Sequence, residues 1–300
     1  MLLTLRLFCL ALCMVAANAS ASCPPLGTTR VELQALKSKA FVVPDDATPD
    51  RDQLALGLLD CLSDPDPELR DGIAFEGLAG WMRSNALSDK TLVVIYKQLL
   101  ALMNGEPADP EGFARPFAAL VLSEVARSDK ERGFLSQTQL NSLVAAGSEY
   151  MTSITDYRGF DPKQGWRHGV AHAADLLAAL ADHPKVDNAG LQRIVAAVGT
   201  QVIPRDSHFY IFSEPQRLAR PLILAAQRGV MTMEQWRSWL AAYAKLPGGG
   251  SLYASIPGLS RRHNLQELLL VLYTNVNESG NETLRESLRR PVIAVLMAIN

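Results

Sequence analysis

Two histidines and a carboxylate share one short stretch, Gly165-Trp166-Arg167-His168-Gly169-Val170-Ala171-His172-Ala173-Ala174-Asp175-Leu176-Leu177. His172 follows His168 by four residues, and Asp175 follows it by seven. On a helix turning about 100° per residue, the three side chains fall within about 60° of one another. The opposite side carries Val170, Ala174 and Leu177, and a helix apolar on several sides belongs to an interior. The cluster is therefore expected in a packed or cleft environment near a helix N-terminus.

Three chemistries fit these residue types. The first is a satisfied polar cluster, each imidazole hydrogen-bonded to a neighbour. The second is a metal site: His-x-x-x-His sets two ring nitrogens at ligand spacing, and Asp175 would complete three protein ligands around an open zinc position. The glutamate of the zinc-protease helix is absent, because Gly169 follows His168. The third is a metal-free acid–base site, with one histidine carrying the proton and Asp175 orienting it.

Other polar residues interrupt apolar helical stretches. They are Asp71, Glu76 and Glu124, Glu214 with Arg217 after Phe212-Ser213, and Arg261-Arg262-His263-Asn264. Each alone reads as a cap or a surface charge; together they would line one concave face. No Gly-x-Ser-x-Gly elbow occurs, which disfavours an ordinary α/β-hydrolase. No Cys-x-x-Cys occurs either. Pro247 to Gly258 reads as a loop, and it lacks the Gly-Lys-Ser/Thr ending of a phosphate-binding loop. Trp236 and Trp239, three apart, read as core or groove-lining residues.

These side chains need elements to hold them, and apolar residues recur at helical spacing along most of the 300-residue chain. Asp66 suits a cap, Pro67 the first helical position and Glu68 the positive end of the dipole. Ser136 with Gln139, and Thr232 with Gln235, make capping boxes. The patterns predict helices over 30–40, 51–62, 67–84, 89–104, 112–128, 136–154, 164–182, 188–202, 214–229, 232–244, 260–276 and 281–298. Short connections make consecutive helices antiparallel neighbours. The expected fold is all-α, with paired antiparallel helices in an α–α superhelix, either HEAT/armadillo-like or an irregular solenoid.

Hydrophobic residues make up 48% of the chain and charged ones 20%, a composition that sustains a core. The 29 basic residues nearly balance the 31 acidic ones. That balance excludes a strongly basic nucleic-acid binder and leaves a protein, a peptide or a small molecule as the expected partner.

Residues 1–21 read as a secretory signal: Arg6 precedes an apolar run from Leu7 to about Ala17, and Ala17-Asn18-Ala19 and Ala19-Ser20-Ala21 both fit a cleavage site. That run is too short to span a bilayer, and no later segment is expected to span one. The mature protein, 22–300, is expected to be one all-helical domain, exported to the periplasm or secreted. Cys9 and Cys13 would leave with the signal. Cys23 and Cys61 would remain, either as a disulfide or as two separate thiols.

The histidine stretch, together with Tyr157-Arg158-Gly159-Phe160, resembles the bacterial family called domain of unknown function 2785. Phe212 to Pro221 is similar to a second signature of that family, and Arg262-His263-Asn264 with Leu272-Tyr273 to a third. Leu69-Arg70-Asp71 and Phe113 to Leu122 also fit, so the resemblance spans roughly residues 65–298. The family motif carries Ala where this chain has Arg167. The resemblance implies an all-helical fold and signature positions at Arg158, His168, His172, Asp175, Glu214, Arg217 and His263, but no activity. With Trp166, these residues form the candidate pocket. The expected function is a binding or interaction module; the alternative is a hydrolase, with or without zinc, built on His168, His172 and Asp175.

Overall fold

Ser, Thr and Asp residues placed just before apolar stripes decide where many of the helices begin. A computed structural model describes residues 23–25, 27–105, 109 and 111–299; the predicted signal segment lies outside these. Within them the chain forms α1 (Arg30–Ser38), α2 (Arg51–Leu58), α3 (Glu76–Arg83), α4 (Asp89–Met103), α5 (Ala114–Arg132) and α6 (Gln137–Ser153). There follow α7 (Gly169–Ala181), α8 (Asn188–Val202), α9 (Glu214–Gln227), α10 (Met233–Tyr243), α11 (Ile256–Glu278) and α12 (Glu282–Ile299). Thr29, Asp50, Ser136 and Thr232 each accept the backbone N–H three residues on, and the Glu or Gln there bonds back. Each such box satisfies two N–H groups that the helix itself leaves open.

The fold is all-α, an α–α superhelix of two layers. In one layer α3 packs on α5, α5 on α7, α7 on α9 and α9 on α11. In the other α4 packs on α6, α6 on α8, and α10 on α12. The contacts α4–α5, α6–α7, α8–α9 and α11–α12 join the layers. A continuous apolar cluster runs between them from Leu33 to Ile299. Helix α7 is buried at all of its 13 positions, which makes it the central strut.

Two elements differ from the sequence expectation. The predicted helix over 67–84 is π-helical from Glu68 to Phe75 before it becomes α3. Asp66 still serves the entry, its Oδ1 accepting the Glu68 N–H at 2.9 Å. The predicted helix over 164–182 starts only at Gly169. Ahead of it, β1 (Phe160–Asp161) and β2 (Gly165–Trp166) pair antiparallel. Gly165 and His168 both hold positive φ, +72° and +55°, so no helix can run through them. Smaller shifts occur elsewhere: α5 continues to Arg132, where left-handed Gly133 ends it, and Ser255 caps α11 upstream of its predicted start.

Cys23 and Cys61 are joined as a disulfide with a Cα–Cα distance of 5.0 Å, which ties the segment ahead of α1 to the short 3₁₀ turn after α2. No helix among the described residues is long and apolar enough to cross a membrane.

Candidate functional site

His168 is built by its neighbours rather than by helix geometry. Its backbone N–H donates to the Arg158 carbonyl at 3.1 Å, and that of Arg167 to the Gly159 carbonyl at 3.0 Å. Its left-handed backbone places it as the cap of α7. The ring stacks on Trp166, with centroids 4.7 Å apart and planes 23° from parallel. Nε2 lies 2.9 Å from the Phe212 carbonyl, and a carbonyl only accepts. Nε2 therefore carries the hydrogen, and Nδ1 of the neutral ring is left as an acceptor. Burial, reinforced by the positive charge of Arg217, lowers the pKa of His168 to about 4.

His172 lies one turn further along α7, its ring centroid 5.8 Å from that of His168. It meets Phe117 edge to face. Its Nδ1 is buried with no hydrogen-bond partner among the described residues, and the Pro116 backbone close by partly opposes the fall in its pKa. Burial, then the charge-sensitive neighbours His168 and Arg217, hold it well below the ordinary histidine range. Both imidazoles are therefore neutral at pH 7. Asp175, the third predicted member, does not orient either ring: its Oδ2 accepts a short hydrogen bond from Arg217 Nη1 of α9.

His168 and Asp175 thus each have a hydrogen-bond partner, and the His172 Nδ1 has none among the described residues. The metal and acid–base expectations asked Asp175 to serve a zinc ion or a histidine, and in the fold it serves an arginine. Among the described residues, no group of three His, Cys, Asp or Glu side chains is arranged to hold a metal ion.

The three residues border a cavity of about 970 Å³ between the π-helix, α3, α5, α7 and α9. Helices α3, α5, α7 and α9 belong to one layer of the superhelix, so the cavity lies along that layer. Asp71 enters it from the π-helix, 2.7 Å from Nη2 of the fully buried Arg70. Burial raises the Asp71 pKa, and Arg70 opposes that rise. Arg70 also donates to the carbonyls of Asp64 and Gln164 and packs over the Phe113 ring, a set that holds the π-helix against the β1–β2 turn. On α5, Glu124 accepts two hydrogen bonds from Arg83, at 3.0 and 2.6 Å, and one from Arg127 at 2.6 Å.

Trp166 and Arg217 line the same cavity; three other predicted pocket residues do not. Arg158 pairs with Asp156 and borders a separate cavity of about 540 Å³ behind the hairpin. Glu214 is buried and accepts the Phe212 N–H at 2.9 Å, so it braces the turn that carries Phe212; burial raises its pKa. His263 bonds the Tyr210 carbonyl at 3.1 Å and stands outside the cavity. Arg167, next to His168, turns away from it toward the Glu111 carbonyl and Gln164.

Sequence reasoning missed Arg83, Arg127 and Arg220, which all line the cavity. Glu124 and Arg127 stand three apart on one helix, a visible pairing signal. Arg83 reaches Glu124 across 41 residues, and nothing local announces that.

Fold and site together define a helical-superhelix protein with a polar, arginine-rimmed cavity along the α3–α5–α7–α9 layer. Residues 99–274 match the family described as "Protein of unknown function (DUF2785)". The match covers more than half of the chain, which therefore belongs to that family. No curated protein and no solved structure matches it.

Proposed function

We propose that this protein is an exported binding module whose ligand seats in the inner cavity. One observation carries the reading: a cavity of about 970 Å³ gathers His168, His172, Glu124 and Asp175, all largely buried, along one layer of helices. Buried polar groups cost stability unless they are satisfied or used, and the His172 Nδ1 is not satisfied among the described residues. The volume suits a ligand of drug size, for which pockets run roughly 300–1,000 Å³. The hydrolase alternative has less support, because Asp175 is turned to Arg217 and neither His168 nor His172 has an orienting carboxylate among the described residues.

A thermal-shift screen of small polar metabolites tests the reading. Compounds that raise the Tm of the wild type but not of Trp166→Ala are expected. A screen whose hits are insensitive to Trp166→Ala, or one with no hits, counts against it.

Export belongs to the same proposal. The Cys23–Cys61 pair suits an oxidising compartment, and residues 1–21 have the pattern of a cleaved signal. The intact mass of protein recovered from the periplasm should lack the first 19 or 21 residues, the lengths set by the two candidate cleavage sites, and should be two hydrogens lighter than the reduced chain. A full-length mass in the cytoplasmic fraction would refute export.

A further inference from the structure

The cavity has more charged groups than its paired ions suggest, because its two signs lie at different depths. The Glu124 side chain is 2% exposed, whereas its partners Arg83 and Arg127 are 63% and 38% exposed. Asp175 is 5% exposed and its partner Arg217 is 43% exposed. The carboxylates form the floor, and the guanidiniums stand over them toward the opening. Arg220 is exposed, lines the same wall and pairs with no carboxylate among the described residues. It stands three residues from Arg217 on α9, hence on the same face.

Two further carboxylates line the cavity beside Glu124 and Asp175. Asp71 is backed by the buried Arg70, and Glu131 lies exposed on the wall. The lining thus holds four guanidiniums and four carboxylates, and Arg220 is the guanidinium with no carboxylate partner among the described residues. The charge of Arg217 is felt inside, where with burial it depresses the proton affinity of both His168 and His172. Guanidinium groups with unspent N–H donors are the natural partners of carboxylate and phosphate oxygens.

The rest of the wall mixes apolar side chains, among them Phe75, Met82, Phe117 and Phe212, with polar ones. Trp166 presents a partly exposed ring, supported from behind by His168. Ser123, Ser128 and Ser213 also line the cavity. A flat indole beside hydroxyls and an imidazole acceptor suits a hydroxylated ring. A neighbouring cavity of about 310 Å³ shares Arg127 and Arg220, so the arginine-lined surface continues beyond the first cavity.

We infer that the cavity binds a saccharide-sized hydroxylated ring bearing an oxyanion, a carboxylate or a phosphate, with Arg217 and Arg220 receiving the oxyanion and Trp166 supporting the ring. This inference rests on the binding-module reading and adds the ligand class to it.

Titration of the mature, disulfide-intact protein with glucuronate, glucose 6-phosphate and glucose tests it, with tryptophan emission and calorimetry as readouts. At least one of the two anions should bind about tenfold or more tighter than glucose. Its affinity should fall as sodium chloride is raised. The tighter of the two anions identifies carboxylate or phosphate as the head group.

Arg220→Gln should weaken that binding about tenfold while leaving the Tm unchanged, and Arg220→Lys should restore part of it. Trp166→Phe should remove the emission change but not the heat. Equal binding of glucose, or an Arg220→Gln variant that binds like wild type, overturns the oxyanion inference and leaves the binding module standing. Silence toward all three probes, each taken to about 10 mM, also overturns the inference, and the binding module then depends on the thermal-shift screen alone.

Discussion

Burial separates the histidines by what their partners are. His183 is fully buried and bonded on both ring nitrogens: Nδ1 accepts the Lys185 N–H at 3.2 Å and Nε2 faces Asp129 at 3.1 Å. Asp129 in turn accepts the Leu135 N–H. His183→Ala strands that carboxylate, and urea unfolding should show a loss of about 3 kcal/mol. His172 is the opposite case, buried with an unpartnered nitrogen against Phe117. His172→Phe should hold or raise stability, by up to about 1 kcal/mol. A loss as large as that of His183→Ala would show a bonding partner for His172 that the structure lacks.

The same burial sets a pH dependence. A histidine whose folded pKa lies below its unfolded value refuses a proton that the unfolded chain accepts. The contribution is complete above the unfolded value of 6.5 and is lost as the pH falls toward about 4, where folded His168 protonates. For His168 that loss amounts to about 3 kcal/mol, and His172 adds to it in the same direction. Buried Asp71 and Glu214, with raised pKa values, act in the opposite sense. The urea midpoint of the wild type should therefore drop between pH 7 and pH 5, and His168→Gln should flatten that drop. Identical pH profiles would contradict the neutral, desolvated state of His168.

At the scale of elements, the hairpin and the N-terminus of α9 hold the site in shape. A Cβ on Gly159 would stand 2.0 Å from Phe212 Cδ2, and Phe212 supplies the carbonyl that anchors His168. Gly159→Ala should cost about 2–3 kcal/mol through overpacking; it should also loosen His168, seen as a rise of its pKa by NMR. Ser213, the residue ahead of α9, sits at φ +67° with no side-chain capping bond. Ser213→Gly removes that backbone strain and should stabilise by about 0.5–1 kcal/mol in thermal unfolding.

The π-helix is a second element-scale device. Its wider turn sends Arg70 into the core and leaves its neighbour Asp71 on the cavity wall, and such segments are frequent at functional sites. Hydrophobic spacing does not distinguish a π-turn from an α-turn over eight residues, because the choice depends on where the Arg70 guanidinium finds its carbonyls.

At the scale of the molecule, the Cys23–Cys61 bond closes a loop of 38 residues around α1 and α2. Constraining the unfolded chain by a loop of that length is worth about 4 kcal/mol on chain-entropy grounds. Reduction, or Cys61→Ser, should lower the unfolding free energy by up to that amount in denaturant titrations. The helices from α6 onward would keep their packing, because their main neighbours lie in the two layers, whereas α4 also packs on α2 and α5 on the 3₁₀ turn that carries Cys61. Uniform loss of helix at the same denaturant concentration as the wild type would show that the bond contributes nothing.

The sequence by itself determined the helical class and many of the helix starts, because periodic apolar residues and capping side chains act within a few residues of one another. It also marked His168, His172 and Asp175 by type and spacing, and Trp166 and Arg217 through the family resemblance, and these do share one cavity. Only the tertiary structure decided that His168 is a left-handed cap held by the Arg158 and Phe212 carbonyls, that Asp175 serves Arg217, and that Glu214 and His263 brace backbone elsewhere. Each of those outcomes is a hydrogen bond between residues 10 to 53 positions apart, except the local one at Glu214. The partner of a buried polar group is chosen by whichever donor or acceptor the packed helices bring within 3 Å, and helix spacing carries no record of that choice.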